Sequence, residues 1–325
     1  MAKPSEESEQ LVKYLVEHYP TCLETKSVRG HTPVALAFAL QRTNIAKILI
    51  DAGADQTTRD CMGNNLIHLL LGDIHRSPRA TPEGTKFLLE LLDPRLVPSL
   101  LTERSSEDPG SLTPISRWIH QIYRLDLHTY SSRENEETDN ELGILRALLD
   151  FAESTGQKHL ELLDGAGNTP LHNAVKGHLP RNLELMIERR PDLLHRESAT
   201  GNTPFEMAVD AWVDQVTKNP PTIPTEDSPS WSDGSKHEYK DLIYGSPESF
   251  AEAKEKDPRT VEQIVCDLCR AHSQPGGQKR KLVTLYEANE VAKRLAARTK
   301  ASPIQDEYSK PETDEVQTWW VSVRD

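Results

Sequence analysis

Ser27 to Arg59, SVRGHTPVALAFALQRTNIAKILIDAGADQTTR, is the stretch that most constrains this chain, because it reads as turn, helix, helix and loop within one short unit. Thr32 is a side-chain acceptor placed to cap a helix, Pro33 fits the first helical position, and Gly30 permits the tight turn before them. Val34, Leu36, Ala37 and Leu40 give the helix from Pro33 a narrow apolar stripe. After a polar turn at Gln41 to Thr43, Ile45, Ile48 and Leu49 repeat at helical spacing and predict a second helix. Gly53 can take the left-handed conformation that ends it, and Ala54-Asp55 leads the chain into an extended turn. A unit of this size cannot bury its own apolar face, so it requires neighbours of the same kind.

Those neighbours follow. Cys61 to His68 repeats the head of the unit, with Asn65 replacing the capping Thr and Leu66 the Pro, and Glu83 to Leu92 is its second helix, reached through the loop Gly72 to Thr81. Thr113-Pro114 starts a third unit that places Trp118 where the others carry a smaller residue. An acidic loop, SSRENEETDN, separates it from a helix over Glu141 to Glu153. Thr169-Pro170-Leu171-His172 and Thr203-Pro204 open a fourth and a fifth unit. The capping positions Thr32, Asn65, Thr113, Thr169 and Thr203 are separated by 33, 48, 56 and 34 residues, two regular steps and two that carry additions.

Gly30-His31-Thr32-Pro33-Val34-Ala35 and Ala52-Gly53-Ala54-Asp55 resemble the head and tail motifs of the ankyrin-repeat family, whose unit is about 33 residues long. The resemblance implies an all-α, ankyrin-type repeat solenoid of helix-turn-helix units with short β-turn tips, covering roughly Leu11 to Lys300. It also implies a concave protein-binding surface made by turn tips and first helices. The family's exposed positions fall here on Arg29, His31, Met62, Asn64, Asn168, Lys176, Asn202 and Asp210. His68 and His172 occupy its Leu-His position, where an imidazole braces the turn.

Residues 1–26 read as a polar N-terminus, mobile over residues 1–8, followed by an N-capping helix around Leu11, Leu15 and Val16 that ends near Tyr19-Pro20. The repeats span 27–271 and carry an insertion at 217–257, a proline-rich, charged stretch expected to be a mobile loop, with Ser228-Pro229 and Ser246-Pro247 as possible phosphorylation points. Val261 to Arg270 reads as the delayed second helix of the fifth unit. Leu282 to Lys300 is expected to supply a last helical hairpin, so that 272–300 caps the C-terminal end, and 301–325 is a polar tail that ends near Trp319-Trp320-Val321.

A formal net charge of −13 over 325 residues argues against generic nucleic-acid or anionic-membrane binding. MAKPSEESEQ has no signal-peptide core, so a cytoplasmic or nuclear chain is expected. Cys266 and Cys269, with His272, share a helix face at metal-ligand spacing, but no second Cys or His pair stands at finger spacing, and buried core thiols are the ordinary reading. Lys279-Arg280-Lys281, with Lys293, Arg294 and Arg298, could meet a polyanion; a solvated capping face is the stronger reading. No phosphate loop, nucleophile elbow or metalloprotease motif is present. The sequence therefore points to a non-catalytic scaffold or adaptor, monomeric alone and without cofactor, that binds one or more proteins. The alternatives are a regulatory module of a larger enzyme or assembly, and a metal- or redox-responsive switch through Cys266 and Cys269.

Overall fold

Pro4 opens the first helix, α1 (Pro4–His18), and Glu6 and Glu7 place negative charge in its first turn, where the helix dipole favours it. Glu9 accepts a hydrogen bond from the Asn44 amide at 2.8 Å, so the stretch expected to be mobile over residues 1–8 is helical from Pro4 onward. The structure is a computed structural model and describes residues 4–72, 80–106, 111–128, 139–156, 158–218, 259–273 and 279–301. Most of the Gly72 to Thr81 loop, the loop between His128 and Asn140, the 217–257 insertion beyond Lys218 and the tail after Ala301 lie outside the described residues.

After α1 the chain passes through a 3-10 turn, Pro20–Glu24, that buries Leu23. The first complete unit is α2 (Pro33–Ala39) and α3 (Thr43–Asp51). The Thr32 hydroxyl accepts the Ala35 amide at 3.4 Å, and Gly53 sits at φ 92 just beyond α3, the two boundaries that side-chain chemistry predicts. Asn65 caps α4 (Leu66–Leu70) by accepting the Ile67 and His68 amides at 3.1 Å each. Thr81 caps α5 (Pro82–Glu90) through the Gly84 amide at 3.0 Å. A short helix with no counterpart in the sequence reading, α6 (Val97–Thr102), buries Val97, Leu100 and Leu101. The remaining helices are α7 (Pro114–His128), α8 (Asp139–Ser154), α9 (Pro170–Lys176), α10 (Pro180–Arg189), α11 (Pro204–Lys218), α12 (Val261–His272) and α13 (Leu285–Ala301). Among the described residues the protein is all-helical, with a single isolated bridge between Arg196 and Lys281.

The helices pack in two rows. Each of α2, α4, α7, α9 and α11 touches the next member of that series, and α1, α3, α5, α8, α10 and α12 do the same in theirs. One apolar cluster runs between the rows from Leu23 to Cys269. Trp118, where the sequence makes packing least certain, is fully buried in it beside Ile115 and Ile119 on the same helix. A close approach of α8 to α5 is made possible by Gly143, where an added Cβ would lie 2.5 Å from the Pro82 ring.

The C-terminal end departs from expectation. Leu285–Ala301 is one helix and not a hairpin, and Leu285 and Tyr286 on it are exposed. It is held by the segment before it, where Lys281 pairs its backbone with His195 and Glu197 at 2.9 Å each. A single helix tied by its leading strand-like segment needs no helical partner to fix its position.

Candidate interaction surface

Four turns precede the first helices and share one construction. Gly30, Gly63, Gly167 and Gly201 all have positive φ, between 71 and 89, and each donates its amide to the residue three positions earlier: Ser27, Asp60, Asp164 and Ser198. Only glycine takes that conformation without strain. Consecutive tips are joined by backbone bonds, from the Cys61 amide to the Arg29 carbonyl (3.0 Å), from Ser106 to Met62 (2.8 Å) and from Ala199 to Gly167 (2.8 Å). Main-chain bonds therefore set the spacing of neighbouring tips in two groups, Arg29 to Ser106 and Gly167 to Gly201.

Of the sequence-predicted contact residues, Arg29, Met62, Lys176, Asn202 and Asp210 are exposed on this row or on α9 and α11. Asn168 is half-buried. His31 is also half-buried, with its imidazole 3.4 Å from the Asp60 carboxylate in the next turn. Asn64 is a correction, being buried and committed to internal bonds. Its amide donates to Asp60 at 2.9 Å, while its oxygen accepts from Arg117 at 2.9 Å. Arg117 comes from α7, 53 positions later, and its spacing to Asn64 carries no sequence signal.

His68 and His172 each tie one unit to the next. His68 Nε2 lies 2.9 Å from the Leu112 carbonyl and His172 Nε2 lies 3.0 Å from the Asn202 carbonyl. Burial pushes the pKa of both imidazoles down to about 4, against the pull of those carbonyls. The other ring nitrogens differ. His172 Nδ1 accepts the Thr169 amide at 3.2 Å, which suits a neutral ring donating through Nε2. His68 Nδ1 faces the Asn65 amide oxygen at 2.8 Å, a second acceptor. These rings are structural braces with no open face for chemistry.

Cys266 and Cys269 on α12 are both buried, and burial raises both thiols, Cys269 to about 12. A thiolate, the species that binds metal or exchanges with disulfides, is thereby disfavoured at both. Among the described residues no group of three or more His, Cys, Asp or Glu is arranged to hold a metal ion.

The basic cluster near residue 280 is engaged internally. Arg280 contacts Glu197 and Glu206 at 2.6 Å each, and Lys281 reaches Glu161 at 2.5 Å. From the opposite side, Arg196, nearly fully buried, donates to the Leu282 carbonyl (2.7 Å) and to Glu287 (2.6 Å). The segment from Lys279 to Glu287 is thus strapped across the fourth and fifth units. Further along α13, Arg294 raises the cost of charging Arg104, whose pKa falls to about 10, chiefly through burial.

No family model and no curated protein matches this chain. Among solved structures, one chain of the complex between a predatory endopeptidase from Bdellovibrio bacteriovorus and an immunity protein aligns at TM-score 0.43 and 15% identity. The alignment covers 66% of this chain and 94% of that one. At that level neither fold nor activity is carried over. No helix among the described residues is long and apolar enough to cross a membrane.

Proposed function

We propose that this chain is a non-catalytic protein-binding scaffold of the ankyrin type, with its partner held on the turn tips and the exposed ends of α9 and α11. The observation that most supports this reading is the backbone bond from Ala199 to Gly167, which fixes the spacing of the two tips that carry Asn168 and Asn202. Rigid presentation of this kind lowers the ordering cost of an interface and suits polar specificity contacts. The candidate contact set is Asn168, Lys176, Asn202 and Asp210, with Arg29 and Met62 further along the row. Asn64 is removed from it by burial.

The test is a chain with Asn168, Lys176, Asn202 and Asp210 all replaced by Ala, compared with the unmodified chain in affinity purification from the source cell and mass spectrometry. The expected result is normal folding with loss of the principal partner. An unchanged partner list from a normally folded variant would move the site off this surface, and appearance of enzyme subunits in a fixed stoichiometry would favour a module of a larger assembly.

A further inference from the structure

The N-terminal end carries apolar side chains where the rest of the molecule buries them. α1 and α10 are equivalent elements. Each ends one residue before a proline-led 3-10 turn, and the joining residues Tyr19 (φ −135, ψ 64) and Arg190 (φ −139, ψ 71) share one conformation. Aligned on those turns, Leu11, Tyr14 and Leu15 correspond to Asn182, Leu185 and Met186. The α10 residues are buried, because α9 and α8 lie against that helix. Leu11, Tyr14 and Leu15 are 57%, 52% and 38% exposed.

A second line of observation comes from α2, the first helix of its row. Leu36 and Leu40 correspond to Arg117 and Gln121 of α7, counting from the capping residues Thr32 and Thr113. Arg117 reaches back to Asn64 in the preceding unit, and Gln121, with its amide turned to satisfy its neighbours, donates to the Leu71 carbonyl of that unit. This helix face therefore looks toward the preceding unit. Among the described residues, α1 precedes α2 in the other row and no helix precedes it in its own, and Leu36 and Leu40 are 39% and 53% exposed. The two sets of side chains border a slot, the place where a first helix of α1's own unit would pack.

We infer that the slot is a homodimer interface, in which α1 of one copy fills the place beside α2 of a second copy and receives the second copy's α1 in return. The occupant is argued from area, spacing and charge. At about 200 Å² per fully exposed side chain of this size, the five fractions come to roughly 480 Å² per copy. Two facing patches give about 960 Å², the size of a weak, reversible association. The stripe Leu11, Tyr14, Leu15, His18 has the i, i+3, i+4, i+7 spacing of a helix that packs on another helix. Glu7 lies on the same face one turn earlier. An antiparallel pair sets Leu11 against the other copy's Leu15 and Glu7 beside the other copy's His18, whereas a parallel pair would crowd the acidic starts of both helices. The antiparallel arrangement is also the one that twofold symmetry produces, and twofold dimers are the commonest oligomers. This interface is independent of the partner surface proposed above and differs from the monomer that the sequence leads one to expect.

Sedimentation velocity of the full chain from about 1 to 200 µM tests it, since an interface at the low end of the size range belongs in the micromolar regime. A reversible monomer–dimer equilibrium is expected, with Leu15→Glu and Leu40→Glu each weakening association roughly tenfold or more. The two substitutions sit on different helices, and unchanged circular dichroism and melting of the diluted variants show that folding is intact. A monomer across the whole range overturns the proposal. A dimer that neither substitution weakens overturns it as well, by placing the contact elsewhere.

Discussion

The two ends of the molecule are finished by opposite means. At the C-terminal end, Arg196, Arg280 and Lys281 meet Glu287, Glu197, Glu206 and Glu161, and a charged segment covers the turns of the last two units. At the N-terminal end, α1 stands without a first helix beside it, and Leu11, Tyr14, Leu36 and Leu40 face water. A terminal unit in a repeat array needs a polar outer face to stay soluble and alone. The strap supplies one, whereas the half-unit leaves an apolar slot. Charge therefore closes one end and apolar surface leaves the other open for association.

The largest effect should come from breaking the closed end at Arg196. Its guanidinium is buried and donates to the Leu282 carbonyl and to Glu287, which is partly exposed and keeps its bonds from Thr284. Two charge-assisted bonds, at about 1.5–3 kcal/mol each before the discount for Glu287's exposure, set the loss in Arg196→Ala at about 3–5 kcal/mol. Chemical denaturation measures it, and limited proteolysis within 279–301 should accelerate in step. A fall in stability without faster cleavage there would mean that Arg196 acts on the repeats and not on the strap.

Next in size is the contrast between equivalent positions on α10 and α1. Met186→Ala should cost about 2–5 kcal/mol because it opens a cavity among fully buried neighbours. Leu15→Ala, at the matching place on α1, should cost about 1–2 kcal/mol in the diluted chain, since more than a third of that residue is already solvated. Equal costs would show that α1 is covered, and the open end would not exist.

Protonation sharpens the comparison from within. Both imidazoles have folded-state pKa values near 4, below the value of about 6.5 for an unfolded histidine. Their stabilising neutral state is fully present above pH 6.5 and is lost as pH falls towards 4, at a cost approaching about 3 kcal/mol per ring. Because His68 faces two acceptors and His172 one, His68 should protonate first. Imidazole NMR shifts followed through pH 7 to 4 decide this, and the reverse order would mean that the Asn65 oxygen does not hold a proton on His68. Glu161, Glu206 and Glu287 in the strap have lowered pKa values through their bonds to Lys281, Thr203 and Thr284 against the cost of burial. They retain their contribution until the pH falls below the ordinary glutamate range.

Local rules were legible in the sequence and distant pairings were not. Thr32, Thr81, Asn65 and Thr203 act through residues two or three positions away, and the glycines at positive φ act within one turn, so periodicity and capping chemistry place them. Asn64 had the spacing of an exposed tip but is covered by Arg117, and the strap joins residues 86 and 91 positions apart. The short helix α6 begins at Val97-Pro98 and spans six residues, too few for a helical period to emerge. The basic cluster near residue 280 had the composition of a free polyanion site; only the fold shows that Glu197, Glu206 and Glu161 converge on it.

The smallest expected effect is at Leu40. Its counterpart Gln121 bonds the unit before it, while Leu40, with no first helix before α2 among the described residues, is 53% exposed. Leu40→Ser in the diluted, monomeric chain should therefore change unfolding free energy by no more than about 0.5 kcal/mol, as at an ordinary surface position. Raising the protein concentration should separate the two chains: the unmodified chain gains thermal stability as copies associate, because association binds only the folded state, and the serine variant gains less. If Leu40→Ser costs as much at high dilution as a core truncation does, the slot beside α2 is filled by the chain itself, and the contrast between a charged closed end and an apolar open one fails.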